Sequence, residues 1–129
     1  MKKICFIVSS PLTASTFLNG PINKLSKLYE IYLIVNLNNK HKELVDKLNV
    51  KKVFHFEIIR KVNVFKDIMC LIKVIHFFRK NKFHAIHSVS PKAGLIAMLG
   101  GYISGIKIRI HTFTGQVWVT KKGVIRKTL

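Results

Sequence analysis

Five short apolar runs, rich in β-branched and aromatic residues, recur along the chain, and each ends at a polar loop. Runs of this length and composition are typical of strands in a parallel sheet. The last run differs, because isoleucines alternate with basic residues between Ile106 and His111, which predicts a strand with one buried face. The predicted strands are Lys3–Ser9, Tyr29–Leu37, Val50–Ile58, Ala85–His87 and Ile106–His111.

Apolar residues at helical spacing separate these runs and predict four helices. The first is expected to be capped by Thr13 or Ser15, and a short second helix covers Lys42–Leu48. The last is expected to begin after Ser90 as N-cap, with a proline at its first position, where the missing N–H costs nothing. Gly105 can end that helix in a left-handed conformation.

The longest predicted helix, Val64–Asn81, combines an apolar stripe with a basic flank. We expect the stripe to hold the helix against the sheet, although a basic amphipathic helix can also lie on anionic lipid. The stripe comprises Phe65, Ile68, Met69, Ile72, Ile75 and Phe78, and the flank comprises Lys66, Lys73 and Lys80.

This alternation of strands and helices predicts the α/β class, a Rossmann-like and mostly parallel sheet with helices on both faces. In open parallel sheets, ligands bind beyond the carboxyl ends of the strands. That rule brings Ser88–Lys92 and His111–Trp118 together on one edge of the sheet, and both are rich in groups that hold oxygen-bearing ligands.

Two segments on this edge resemble a known family. The sequences PKAG (Pro91–Gly94) and HTFTGQVW (His111–Trp118) resemble subfamily motifs in the amino-terminal domain of family 4 glycosyltransferases. These enzymes have two facing Rossmann-like domains and build bacterial capsule and O-antigen polysaccharides. The order of strands and helices resembles that of the family over the whole chain, and the sequence motifs resemble it over about the last third.

The resemblance implies that residues 1–129 form an amino-terminal, acceptor-binding domain that is incomplete at its carboxyl end. It implies a retaining enzyme whose nucleotide-sugar donor, a substrate and not a cofactor, binds to a second domain. The acceptor would be a polyprenyl-diphosphate-linked sugar or a polysaccharide. Because that second domain also carries the family's characteristic glutamate pair, we expect this chain alone to transfer no sugar.

The candidate acceptor-binding residues lie in the exit loops of the strands. Hydroxyl, amide and imidazole groups hydrogen-bond sugar hydroxyls or phosphate oxygens, Gly115 lets the backbone approach a ligand, and Trp118 offers a flat apolar face. Relatives often place a histidine before this glycine, where this chain has a threonine, so no catalytic residue is assigned. The candidates are Ser10, Arg60, Lys92, His111, Thr112, Thr114, Gly115, Gln116 and Trp118.

Three of these residues could also have ordinary structural or surface roles that involve no ligand. Lys92 lies in a first helical turn, where it can add charge toward a diphosphate or remain a solvated lysine. Arg60 can clamp a phosphate or be a surface arginine. His111 can bind a ligand or be a structural histidine.

The charge balance invites an anionic partner. The 129 residues carry 23 Lys and Arg against five acidic residues, a formal charge of +18. The hydrophobic content of 49% argues against a disordered chain. Phosphorylated substrates, nucleic acid and an anionic membrane all fit this charge. The alternative function is therefore a basic Rossmann-like binding module without catalysis. Nucleic acid is the less expected partner, because the aromatic residues fall mostly in predicted core stripes.

Cofactor and metal sites are not expected. The first strand-to-helix loop lacks the glycine-rich dinucleotide fingerprint, and Cys5 and Cys70 have no metal-ligand spacing. His84 and His87 are three apart on a strand and point to opposite faces. No run reaches the roughly 18 apolar residues of a membrane span, so we expect a cytoplasmic protein with possible peripheral contact at the inner face of the membrane.

Overall fold

The computed structural model describes residues 2–37, 42–58 and 63–113 of the chain. Five strands form one sheet in the order β3-β2-β1-β4-β5, and every neighbouring pair is parallel. The predicted α/β class and parallel sheet are therefore confirmed. The strands are β1 (Lys3–Ile7), β2 (Glu30–Val35), β3 (Lys52–His55), β4 (Ala85–Val89) and β5 (Ile108–Thr112). Their ends lie within a few residues of the predicted ones.

Helical segments connect the strands. The first connection is irregular, because an α-helical turn passes into a π-helical stretch, Ala14–Leu18, before a second α-helix. A 3₁₀ helix, Lys42–Lys47, occupies the place of the predicted short second helix. The α-helices are α1 (Pro11–Thr13), α2 (Asn19–Leu25), α3 (Val64–Asn81) and α4 (Pro91–Ile103).

The core has two layers, one on each face of the sheet. Residues of β1 alternate between them, with Cys5 and Ile7 in one cluster and Ile4 and Phe6 in the other. Helices α3 and α4 cover the first cluster, and the helical segments before β2 cover the second. The side chains of β1 are therefore buried on both faces of the sheet, as expected for a central strand of a parallel sheet.

Helix α3 has the predicted bounds, but the prediction of its buried face was wrong at most positions, since Phe78 is the one member of the predicted stripe that is fully buried. The side chains that pack on the sheet are Cys70, Val74 and Phe78, whereas Phe65 is 75% exposed and Ile72 is 55% exposed. Because the helix is apolar on nearly all sides, periodicity alone did not identify the stripe that meets the sheet and α4.

The ends of two other helices also test the sequence predictions. The first helix is capped by Ser10 and not by Thr13 or Ser15, because Ser10 Oγ accepts the backbone N–H of Thr13 at 3.2 Å and Pro11 sets the first turn. Gly105 follows the end of α4 with φ of 82°, which confirms the predicted left-handed terminus. No helix in the described part of the chain is long and apolar enough to cross a membrane.

Candidate functional site

The exits of β1 and β4 meet at the carboxyl edge of the sheet. Ser90 occupies the predicted N-cap position of α4, yet its hydroxyl donates to Ser9 Oγ at 3.1 Å and makes no capping bond. Its backbone has φ of 84°, a strained conformation for a residue with a Cβ. Such strain costs about 1–3 kcal/mol and concentrates at functional sites. The first turn of α4 is thus presented at this edge by a strained serine tied to the neighbouring loop.

Two side-chain hydrogen bonds join the ends of β4 and β5. Ser88 is fully buried, and its Oγ lies 2.8 Å from His111 Nδ1. On the other face of the sheet, His87 Nε2 lies 2.6 Å from Thr112 Oγ1. Burial of the imidazole, and secondly the nearby His111, hold the pKa of His87 below its ordinary value. Folding therefore favours the neutral form of His87.

His111 is packed against the first turn of α4. A Cβ on Gly94 would lie 2.5 Å from His111 Nδ1, so glycine is needed for the ring to sit there. Phe113 closes the other side, with its ring edge-on to the imidazole at a centroid distance of 4.7 Å. The predicted site residue His111 is consequently fixed by three contacts, to Ser88, Gly94 and Phe113.

Lys92 is held by a partner that the sequence analysis did not consider. Its Nζ lies 3.1 Å from Asp67 Oδ1, and the two side chains are 12% and 27% exposed. Asp67 also accepts the backbone N–H of Asn63 at 3.3 Å, at the start of α3. Lys92 is therefore a largely buried ammonium group in an ion pair, which differs from the solvated lysine considered above.

The remaining candidates divide into two groups. Ser10 and Thr112 are described, and Ser10 Oγ lies 2.8 Å from Thr13 Oγ1 in addition to its capping bond. The other five lie outside the described residues: Arg60, Thr114, Gly115, Gln116 and Trp118.

Each of the four described candidates is held by neighbours of its own. His111 and Thr112 share the end of β5 but face opposite sides of the sheet, while the Lys92 side chain reaches across to α3.

Sequence reasoning did not predict the contacts of three residues that support this site, namely Ser88, His87 and Asp67. The contacts of Ser88 and His87 depend on the register of β4 against β5, which sets Ser88 opposite His111 and His87 opposite Ile110, and the sequence does not give that register. Asp67 lies in the first turn of α3 and Lys92 in the first turn of α4, so two adjacent helices that begin at the same edge of the sheet bring these side chains together.

The edge offers hydrogen-bonding groups and one paired cation, and these suit a ligand with hydroxyl and phosphate oxygens. Hydroxyls of Ser9 and Ser90 lie at the start of α4, whose free backbone N–H groups favour an anion, and the Ser10 hydroxyl caps α1 in the neighbouring loop. Among the described residues, no group of three or more His, Cys, Asp or Glu side chains could hold a metal ion.

Comparison with known proteins shows a partial similarity to glycosyltransferases. No family model matches the chain. A segment of 64 residues, 50% of the chain, is 39% identical to the capsular polysaccharide biosynthesis glycosyltransferase CapM of Staphylococcus aureus. A segment of 74 residues is 24% identical to the UDP-Gal:alpha-D-GlcNAc-diphosphoundecaprenol alpha-1,3-galactosyltransferase of Escherichia coli. These matches span 17% and 19% of the two relatives, and 57% of this chain in the second case.

Solved structures share the fold. Acinetobacter baumannii MurG superimposes on 99% of the chain with a TM-score of 0.68 and 11% identity, and the match covers 38% of MurG. A UDP-N-acetylglucosamine 2-epimerase superimposes on 87% of the chain with a TM-score of 0.67 and 14% identity, covering 32% of the epimerase. These likenesses confirm the Rossmann-like architecture and carry no information about activity.

Proposed function

We propose that this chain is the amino-terminal, acceptor-binding part of a glycosyltransferase of bacterial surface polysaccharide synthesis. The observation that carries the proposal is the 39% identity to CapM over half of the chain. The fold is compatible with it, since the exit loops of a parallel sheet form a ligand site at their shared edge. The similarity also favours this function over a basic binding module without catalysis.

The acceptor class follows from the second relative and from the chemistry of the edge. The Escherichia coli relative is named for a GlcNAc-diphosphoundecaprenol acceptor, and a polyprenyl-diphosphate-linked sugar presents both phosphate and hydroxyl oxygens. In our proposal, the first turn of α4 and Lys92 face the diphosphate, and the residues after β5 face the sugar. Binding and positioning of the acceptor are this segment's contribution to catalysis.

The ion pair between Lys92 and Asp67 sharpens the test of this assignment. Binding of a short-chain prenyl-diphosphate-linked GlcNAc is measured by titration calorimetry. Lys92→Ala should weaken binding by roughly 1.5–3 kcal/mol, the usual worth of a charge-assisted hydrogen bond. Asp67→Asn keeps the shape of the side chain but removes the competing carboxylate, and it should tighten binding.

Lys82→Ala provides the control, because Lys82 is an exposed lysine at the far end of α3. Equal and negligible effects of Lys92→Ala and Lys82→Ala would show that Lys92 does not meet the diphosphate, and that assignment would be abandoned.

Catalysis itself is expected to need more than this segment. The matched regions make up less than a fifth of the two relatives, and we expect the donor nucleotide sugar to bind elsewhere in a complete enzyme. Purified residues 1–129 should therefore transfer no sugar from any nucleotide sugar in a radiolabel transfer assay. Measurable turnover by the chain alone would contradict the division into donor and acceptor parts.

A further inference from the structure

The Ser88 hydroxyl has a single proton and two acceptors within reach. Its side chain is fully buried, so bulk solvent does not reach it and the proton must be donated to a group of the protein. His111 Nδ1 lies 2.8 Å from Ser88 Oγ, whereas the carbonyl oxygen of Ile110 lies at 3.5 Å. The first distance is that of an ordinary hydrogen bond, and the second is at the outer limit. The hydroxyl proton therefore goes to His111 Nδ1.

This hydrogen bond determines where the imidazole carries its own proton. In a neutral imidazole, one ring nitrogen donates a hydrogen bond and the other accepts. Because Nδ1 of His111 accepts the proton of Ser88, the ring proton lies on Nε2. Within the described part of the chain, no group accepts a hydrogen bond from this Nε2–H.

The ring is also held from two other directions. A Cβ added to Gly94 would lie 2.5 Å from His111 Nδ1 and 3.0 Å from Nε2, so the ring edge with both nitrogens faces the start of α4. The Phe113 ring stands edge-on to the imidazole at a centroid distance of 4.7 Å. The Nε2–H is consequently presented beside the turn that the proposed function assigns to the diphosphate.

We propose that Ser88 is a positioning residue that holds His111 as an Nε2–H donor toward an oxygen of the diphosphate. Ionised phosphate oxygens only accept hydrogen bonds, so the opposite tautomer, with a lone pair on Nε2, would repel them. Ser88 itself touches no ligand, because its side chain is fully buried. The inference rests on the proposed function for the identity of the ligand. It does not rest on it for the tautomer, which can be measured in the ligand-free chain.

The first measurement is a long-range ¹H–¹⁵N NMR spectrum of the imidazole groups of the full chain, at about pH 8, where an ordinary histidine is neutral. His111→Gln identifies the His111 signals. In wild type, Nε2 should resonate as a protonated nitrogen and Nδ1 as an unprotonated one. Ser88→Ala should give a mixture of both tautomers, and Ser88→Thr, which keeps the hydroxyl, should restore the single tautomer.

The second measurement is a titration of the same samples with inorganic pyrophosphate. The wild-type Nε2 signal of His111 should shift and saturate, and Ser88→Ala should weaken the apparent affinity by about three- to tenfold, as expected for one hydrogen bond. Ser104→Ala is the matched control, because it removes a hydroxyl that donates to the Ile75 carbonyl at the far end of α4. It should change neither the tautomer nor the affinity. Circular dichroism confirms that each variant is folded.

Three results would overturn the inference. They are a wild-type His111 protonated on Nδ1, a Ser88→Ala variant with the signals and affinity of wild type, and pyrophosphate that leaves the Nε2 signal of His111 unshifted. Should Ser88→Ala fail to fold, the wild-type tautomer and the pyrophosphate shift decide. If pyrophosphate shifts His111 but the prenyl-diphosphate-linked GlcNAc does not bind, the proposed acceptor is wrong and the role of Ser88 toward phosphate oxygens stands.

Discussion

Substitution of Gly94 by alanine tests whether His111 lies where the structure has it. Gly94 is in the first turn of α4, and an added Cβ would lie 2.5 Å from His111 Nδ1, well inside contact distance. Any shift of the imidazole disturbs its hydrogen bond to Ser88 and its edge contact with Phe113. Gly94→Ala should therefore displace the ring and break the hydrogen bond to Ser88.

The change in the free energy of unfolding has three contributions, two that destabilise the fold and one that stabilises it. Overpacking of a buried contact costs about 1–3 kcal/mol, and loss of the hydrogen bond costs about 1 kcal/mol. Replacing glycine by alanine in a helix gains about 1 kcal/mol in propensity. Since the last two offset each other, Gly94→Ala should lower the free energy of unfolding by about 1–3 kcal/mol.

The assay is urea unfolding followed by circular dichroism, with two controls. Gly20→Ala lies in helix α2 with no atom of another segment within 4 Å of its added Cβ, and because the proline that follows offsets the gain in helix propensity, it should change the free energy of unfolding by less than about 0.5 kcal/mol. In a His111→Ala background the obstacle is gone, so Gly94→Ala should become stabilising. A Gly94→Ala variant as stable as wild type, with no dependence on His111, would refute the described packing.

Three further predictions test other parts of the structure. Phe78→Ala should lower the free energy of unfolding in urea by about 3–5 kcal/mol, because Phe78 is only 1% exposed. Phe65→Ala should lower it by less than about 0.5 kcal/mol, because Phe65 is exposed. The reverse order would mean that α3 turns its other face to the sheet. Asp67→Ala should cost about 1–2 kcal/mol in the same assay, because it leaves the largely buried Lys92 without this partner, and an unchanged midpoint would argue against the ion pair.

The third concerns pH. Because burial keeps the pKa of His87 low in the folded chain, the unfolded chain binds more protons, and stability should fall as the pH drops below about 6.5. His87→Gln should lose that part of the pH dependence of the unfolding midpoint, and an unaltered pH profile would exclude the effect.

Local signals predicted the elements well because they depend on neighbouring residues. The bounds of α3 were predicted, and the structure shows both ends fixed locally, by the Asn63 side chain that accepts the N–H of Lys66 and by Lys82 in a left-handed conformation. The face of α3 was not predictable in this way. Gly100 of α4 lies close to Val74, and that tertiary contact, which is absent from the pattern, selects the buried side.

The candidate site was only partly predictable for a related reason. The fold rule placed Lys92 and His111 near one edge, but their partners depend on strand register and on the contact between two helices. Asp67 lies outside the motif segments, and only the packing of α3 against α4 brings its carboxylate to Lys92. Ser88 sits within a buried strand, where a hydroxyl gave no sign that it would hold a histidine.

The central claim is that the carboxyl edge of the sheet binds a diphosphate-linked sugar. Its most direct test is an NMR titration of the ¹⁵N-labelled chain with a short-chain prenyl-diphosphate-linked GlcNAc, with the prenyl alcohol alone as the control. If this edge binds the ligand, the backbone amide signals of Ser10, Lys92, His111 and Thr112 should shift and saturate, and the amide signal of Lys82 should stay unchanged. A folded spectrum with no shifts at this edge, or with shifts confined to other surfaces, would contradict it.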